Sequence, residues 1–150
     1  MIQSKFIETP IGLVAVRATD GAISAIEFVE TRDTTEAGSP LLERAIQQLE
    51  EYFAGSRTRF SLPLAPQGTA FQQQVWQQLQ AVGYGRTASY ADIARDIGRP
   101  KAMRAVGAAN GRNPIAIVIP CHRVIGSNGS LTGYAGGLKR KSWLLKLESA

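Results

Sequence analysis

Residues 89–110 read SYADIARDIGRPKAMRAVGAAN, and this stretch decides how the second half of the chain is built. Ser89 can accept from the backbone N–H of Asp92 while the Asp92 carboxylate reaches back to that of Ser89, a reciprocal start signal for a helix. The helix YADIARDI then ends at Gly98. Gly98-Arg99-Pro100 is a break, since glycine loosens the backbone and proline cannot continue a helix. KAMRAVGAAN reads as a further helix that opens with Lys101 and Arg104. Two short helices joined by a tight turn fit a helix-turn-helix, although packed helix pairs with no DNA duty share the pattern.

Upstream, Thr69 with Gln72 forms a second capping box, opening a helix with Phe71, Val75, Trp76 and Leu79 on one side. Downstream, the apolar run IAIVI (115–119) predicts a short buried strand, and KSWLLKLE closes the chain as a helix. The first third predicts strands. Phe6, Ile11, Leu13 and Val16 flank a Pro10–Gly12 turn, and Asp20-Gly21 is a tight-hairpin dipeptide leading into AISAIEFVE. After a polar connection at 31–38, Ser39 caps a helix with Pro40 at its first position, running to Gly55. RFSLPL (59–64) is expected to return as a strand. The fold class is therefore α+β: a small N-terminal mixed α/β domain (1–65, sheet plus helix) followed by a mainly helical C-terminal domain (66–150) with the helix-turn-helix.

The charge balance changes sign at the same boundary, near Gly68. Residues 1–65 hold six Lys/Arg and nine Asp/Glu (6 − 9 = −3), and residues 66–150 hold eleven Lys/Arg and three Asp/Glu (11 − 3 = +8). A basic half beside a mildly acidic one suggests a polyanionic partner for the second half, against the alternative of a merely solvated basic surface. At 150 residues with 44% hydrophobic content the chain can bury a core, as one domain or two small ones. No apolar run approaches the roughly 18 residues of a membrane span, and the N-terminus does not read as a secretory signal. One cysteine excludes an internal disulfide, and with a single histidine it excludes a zinc site of Cys and His ligands alone. The expected setting is the cytoplasm, or the nucleus of a nucleated cell.

The chemistry concentrates in Asn113-Pro114-Ile115-Ala116-Ile117-Val118-Ile119-Pro120-Cys121-His122-Arg123-Val124. The sole cysteine and the sole histidine are neighbours, with a cation next to them. A thiolate is the reactive form of cysteine, and a nearby base or cation raises its population. A lone cysteine is more often a small core residue. Adjacent side chains also diverge, so a Cys–His contact needs a tight turn or a bridging water.

The hexapeptide Ile119–Val124 resembles the active-site motif of the O6-alkylguanine-DNA alkyltransferases. The resemblance runs from Gly68 to Glu148 through Ser89-Tyr90, Arg104-Ala105-Val106-Gly107, Asn113-Pro114, Gly133-Tyr134, Gly136-Gly137 and Trp143-Leu144-Leu145. It implies that Cys121 takes an alkyl group from guanine O6, irreversibly and once per molecule, and leaves open whether O4 of thymine is a second target. It implies His122 as a base acting through a water, Glu148 orienting the imidazole, and Asn113 holding the active-site turn. It implies that Tyr90 contacts the flipped base or its phosphate and that Tyr134 and Ala135 line the base pocket. The carbonyls of Cys121 and Val124 would accept from the guanine amine, Arg104 would fill the gap left by the base, and Lys141 matches a basic position near the pocket. The implied partner is double-stranded DNA carrying O6-alkylguanine, bound by a monomer, cooperatively or not, with no cofactor and no metal. The zinc ligands of some relatives are missing, and Ala135 stands where the family pattern can carry Ser. The competing readings are a non-reactive lesion-binding protein, a helix-turn-helix regulator with a sensing thiol, and a cysteine hydrolase.

Overall fold

A computed structural model describes all of residues 1–150, which divide into two compact units, Met1–Pro66 and Gln67–Ala150. No helix is long and apolar enough to cross a membrane.

In the first unit β1 (Gln3–Thr9), β2 (Gly12–Thr19) and β3 (Ala22–Phe28) form an antiparallel sheet in the order β1-β2-β3. The two-residue turn after Thr19 is made by Asp20 and Gly21, both with positive φ (51° and 80°). That geometry matches the twist of the flanking strands. The helix α1 (Pro40–Phe53) starts where Ser39 accepts from the Leu42 N–H at 3.1 Å, and it buries Leu42, Ala45, Leu49 and Tyr52. It packs on β1 and β2, where Val14, Ala15 and Val16 are fully buried. Residues 59–64 do not form the expected strand. Only Leu64 bridges to Ile23, in parallel, through Ile23 N–H to the Pro63 carbonyl (2.8 Å) and Ala65 N–H to the Ile23 carbonyl (2.8 Å). Pro63 has no N–H to extend the ladder. Instead, the buried Gln48 side chain clasps the Ser61 backbone, accepting at 2.9 Å and donating at 3.2 Å.

The second unit is mainly helical, with α2 (Ala70–Leu79), α3 (Tyr90–Asp96), α4 (Met103–Gly111) and α5 (Leu138–Ser149). Both expected capping boxes form. Thr69 N–H donates to Gln72 Oε1 and Gln72 N–H to Thr69 Oγ1, while Ser89 N–H donates to Asp92 Oδ2 and Asp92 N–H to Ser89 Oγ. Bonding from Ser89 holds the Asp92 carboxyl below its ordinary value. Gly68 is required before α2, because a Cβ there would lie 2.4 Å from the Trp76 ring. Trp76 anchors α2 to α4 by donating Nε1–H to the Ala109 carbonyl at 2.8 Å. The helices α3 and α4 pack together as a helix-turn-helix. The second begins at Met103 rather than Lys101, since Arg99–Ala102 closes as a turn (Ala102 N–H to Arg99 carbonyl, 2.9 Å) and Ala102 offers no side-chain cap.

The strand expected at 115–119 is instead a compact turn, with Ile117 at φ 74°. Asn113 explains the difference. Its amide donates to the Ile119 carbonyl (2.7 Å) and the Ile115 carbonyl (3.4 Å), and its oxygen accepts from the Ile115 N–H (3.0 Å). A side chain that captures backbone groups in this way competes with a strand ladder. Two residues on each side, β4 (Ala88–Ser89) and β5 (Val124–Ile125), pair in parallel. This pair fixes the start of α3 beside the chain that leaves Cys121.

Candidate active site

Cys121, His122 and Arg123 form a single 3-10 turn after Pro120, and all three are buried. The turn is held from both ends. The Cys121 carbonyl accepts from the Val124 N–H and from the Asn110 amide of α4 at 3.3 Å, and the Cys121 N–H donates to the Ile119 carbonyl at 2.8 Å. Cys121 is 5% exposed. Burial pushes it up to about 11, while hydrogen bonding from Asn113 and the Lys141 cation pull the other way. The resting protein therefore stores a neutral thiol, and the thiolate must be made when it is needed.

The group placed to make it is His122, fully buried next to Cys121. Its Nε2 lies 2.7 Å from Glu148 Oε2 on α5. A carboxylate can only accept, so Nε2 carries the hydrogen and Nδ1 is left with a lone pair. Nδ1 has no hydrogen-bond partner. Burial lowers the imidazole below its ordinary value, against the pull of Glu148. A neutral imidazole with one nitrogen held and the other open is the form a general base needs.

Lys141 does not present its charge at the surface. It is fully buried, donating to the Val124 carbonyl and, at 2.6 Å, to the Thr132 carbonyl. The same Thr132 carbonyl accepts from the Tyr90 hydroxyl at 3.0 Å, and Lys141 Nζ sits 6.0 Å from the centre of the Tyr90 ring. Thr132 thus joins the interior beside Cys121 to an open cleft of about 410 Å³. That cleft is lined by Tyr90, Met103, Arg104, Gly107 and Gly133, with Thr132 and the 126–127 loop. Gly133, at φ 61°, cannot be replaced without cost, because a Cβ would come within 3.0 Å of the Tyr90 hydroxyl. Arg104 is exposed on the first turn of α4 at the edge of this cleft. Tyr134 is 8% exposed, its hydroxyl has no partner, and burial followed by the nearby Cys121 raises it above its ordinary value. Ala135 is exposed on the same loop.

Of the residues singled out in the sequence, Cys121, His122, Glu148, Asn113, Val124 and Lys141 meet around one turn. Tyr90 and Arg104 line the cleft, Tyr134 lies close to Cys121, and Ala135 stands at the surface. Sequence reasoning missed Arg123 as a partner of Glu148, Asn110 on the Cys121 carbonyl, and Thr132 between Tyr90 and Lys141. None of the three was singled out: with three carboxylates for eleven cations in the basic half, a buried carboxylate should be paired, but the count does not name the cation.

A family model described as the DNA binding domain of 6-O-methylguanine DNA methyltransferase matches residues 70–150, and one described as its ribonuclease-like domain matches residues 2–66. The chain belongs to the 6-O-methylguanine DNA methyltransferase family. Among methylated-DNA–protein-cysteine methyltransferases, that of Methanosarcina acetivorans is 48% identical over 149 residues, covering 95% of this chain and 96% of the relative. The constitutive one of Bacillus subtilis is 49% identical over 151 residues, covering 94% and 92%. The crystal structure of Mycobacterium tuberculosis OGT in complex with DNA superposes with a TM-score of 0.89 at 46% identity, covering 98% of this chain and 92% of that one. The 6-O-methylguanine DNA methyltransferase fold thus accounts for both units of this chain.

Proposed function

We propose that this protein repairs O6-alkylguanine in double-stranded DNA by direct reversal, moving the alkyl group to its own Cys121. The observation that carries the proposal is the buried Cys121-His122 turn with His122 held through Nε2 by Glu148, set behind a cleft on the helix-turn-helix. Membership of the family and likeness to a DNA-bound relative support it.

Residues 66–150 would carry both the DNA surface and the chemistry. The target atom lies inside the duplex, so the guanine must leave the stack, at a cost of a few kcal/mol that damage lowers. Arg104 would enter the gap, since a planar cation can stack and hydrogen-bond at once. The cleft beside Tyr90 and Gly133 would receive the base, and Tyr134 and the backbone of Ala135, which follow Gly133 in the chain, would contact it. His122 Nδ1 takes the thiol proton through a water. The sulfur then forms a bond to the alkyl carbon, the carbon–O6 bond breaks, and its electron pair leaves with the guanine. One proton neutralises the departing base, and Tyr90, a phenol lining the cleft, would supply it. The Lys141 cation balances the thiolate while it exists. The product is a thioether, and a second thiol that could release it is missing from the chain, so each molecule acts once. The protein would work as a monomer in the compartment that holds the DNA.

The test is Cys121→Ser. It should keep affinity for a duplex containing O6-methylguanine and lose all transfer. Demethylation by this variant would overturn the proposal.

A further inference from the structure

Arg123 takes no part in the reaction described above, yet its guanidinium is fixed from three sides. Nε donates to Glu148 Oε1 at 2.8 Å and Nη2 to Oε2 at 3.0 Å, a two-pronged grip that sets the carboxylate plane. Nη1 donates to the Val82 carbonyl at 2.7 Å, and the guanidinium lies 5.8 Å from the centre of the Tyr84 ring. The side chain is almost wholly buried.

The consequence follows from counting charge in a dry site. His122 is wholly buried and Glu148 nearly so. A carboxylate beside a neutral imidazole, with nothing else, would leave one uncompensated negative charge away from water. Such a pair relieves that cost by keeping a proton, and whichever partner nominally holds it, His122 can no longer accept another. The charges acting on His122 are Glu148 and Lys141 from α5 and Arg123 from its own turn, with the Cys121 thiol adjacent. Only Glu148 draws a proton toward the imidazole; burial, Arg123 and Lys141 oppose it. Of the two cations, only Arg123 touches the carboxylate, because Lys141 is committed to backbone carbonyls.

We infer that Arg123 is a positioning residue for alkyl transfer: by forking onto Glu148 it offsets the carboxylate charge, so that His122 stays neutral with Nδ1 open to the Cys121 proton. In that step the S–H bond breaks, its electron pair stays on sulfur, and the proton forms an imidazolium held by Glu148. Without Arg123 a larger share of the molecules already holds that proton at a given pH, and the step slows on the acid side. The catalytic consequence rests on the transfer reading above; the effect on His122 does not, and it can be measured separately.

His122 is the sole histidine, so nitrogen-15 NMR of the labelled protein follows one imidazole without ambiguity. The titration should be run on the parent, Arg123→Gln, Arg123→Lys and the double variant Arg123→Gln/Glu148→Gln, with circular dichroism to confirm the fold. In the parent the ring should be neutral at neutral pH and protonated on Nε2. Arg123→Gln should raise its midpoint by about one pH unit or more. Arg123→Lys, which keeps the charge and loses the fork, should raise it less. The double variant should return to a low midpoint, because the carboxylate needing the offset is gone. The acid limb of the single-turnover rate profile should move upward with the midpoint in Arg123→Gln, and the rates should converge with the parent at high pH. A midpoint at or below the parent value in either folded single variant would overturn the inference, and Arg123→Lys decides alone if Arg123→Gln does not fold. A parent protein that titrates as described but transfers nothing would instead overturn the proposed function.

Discussion

The burial of Cys121 predicts how the free protein should respond to an ordinary thiol reagent. Burial raises the thiol from 9.0 to about 11. At pH 7 that lowers the thiolate fraction from about one molecule in 10² to about one in 10⁴. A more basic thiolate is intrinsically more nucleophilic, with a Brønsted slope of about 0.4–0.5, which recovers a factor of about 6–10. Ionisation alone should therefore slow alkylation by about tenfold relative to an unperturbed thiol, and burial of the sulfur adds to this. Iodoacetamide labelling followed by intact mass is a clean assay because the chain has one cysteine. The rate should climb about tenfold per pH unit above pH 7, without levelling before about pH 10. Lys141→Met removes a cation that favours the thiolate, so it should delay levelling further. A rate that levels by about pH 8 would refute the reasoning. It would mean the resting protein already holds a thiolate, and His122 would have no proton to remove.

Two further outcomes test the neighbouring groups. Glu148→Gln leaves Arg123 buried without its anion, so it should lower stability by about 3 kcal/mol or more, a fall in Tm of about 6–12 °C in a thermal melt; an unchanged Tm would show that the trio is not coupled. Arg104→Ala should react nearly normally with free O6-benzylguanine and be slower on duplex by about 5- to 150-fold, the worth of a 1–3 kcal/mol contact. Equal loss on both substrates would withdraw Arg104 from base extrusion.

Local signals were legible in the sequence because they act over a few residues. Ser39 with Pro40, Asp20-Gly21, and the reciprocal pairs Thr69/Gln72 and Ser89/Asp92 each satisfy backbone groups within one turn, and each forms as read. The run IAIVI was misleading because an apolar segment is buried alike as a strand or as a turn. The deciding contact, the Asn113 side chain on the Ile119 carbonyl, leaves no mark on hydrophobic periodicity. The two-residue pairing of Ala88-Ser89 with Val124-Ile125 is too short to show any period. Around the nucleophile, the adjacency of Cys121 and His122 was plain. Arg123 and Glu148 are 25 residues apart, and charge counting shows that a buried carboxylate needs a partner without saying which cation supplies it. Lys141 was marked only by its match to a basic position near the pocket, and its burial is a property of the packed site.

The central claim is irreversible transfer to one sulfur, and intact mass spectrometry reads it directly. The protein should be incubated with an excess of duplex carrying a single O6-methylguanine, and both partners followed to completion. The expected result is a gain of one methyl group, mapped to Cys121, with demethylation stopping at one guanine per protein molecule. Continued demethylation beyond that ratio, or a methyl group found on any other residue, would contradict it.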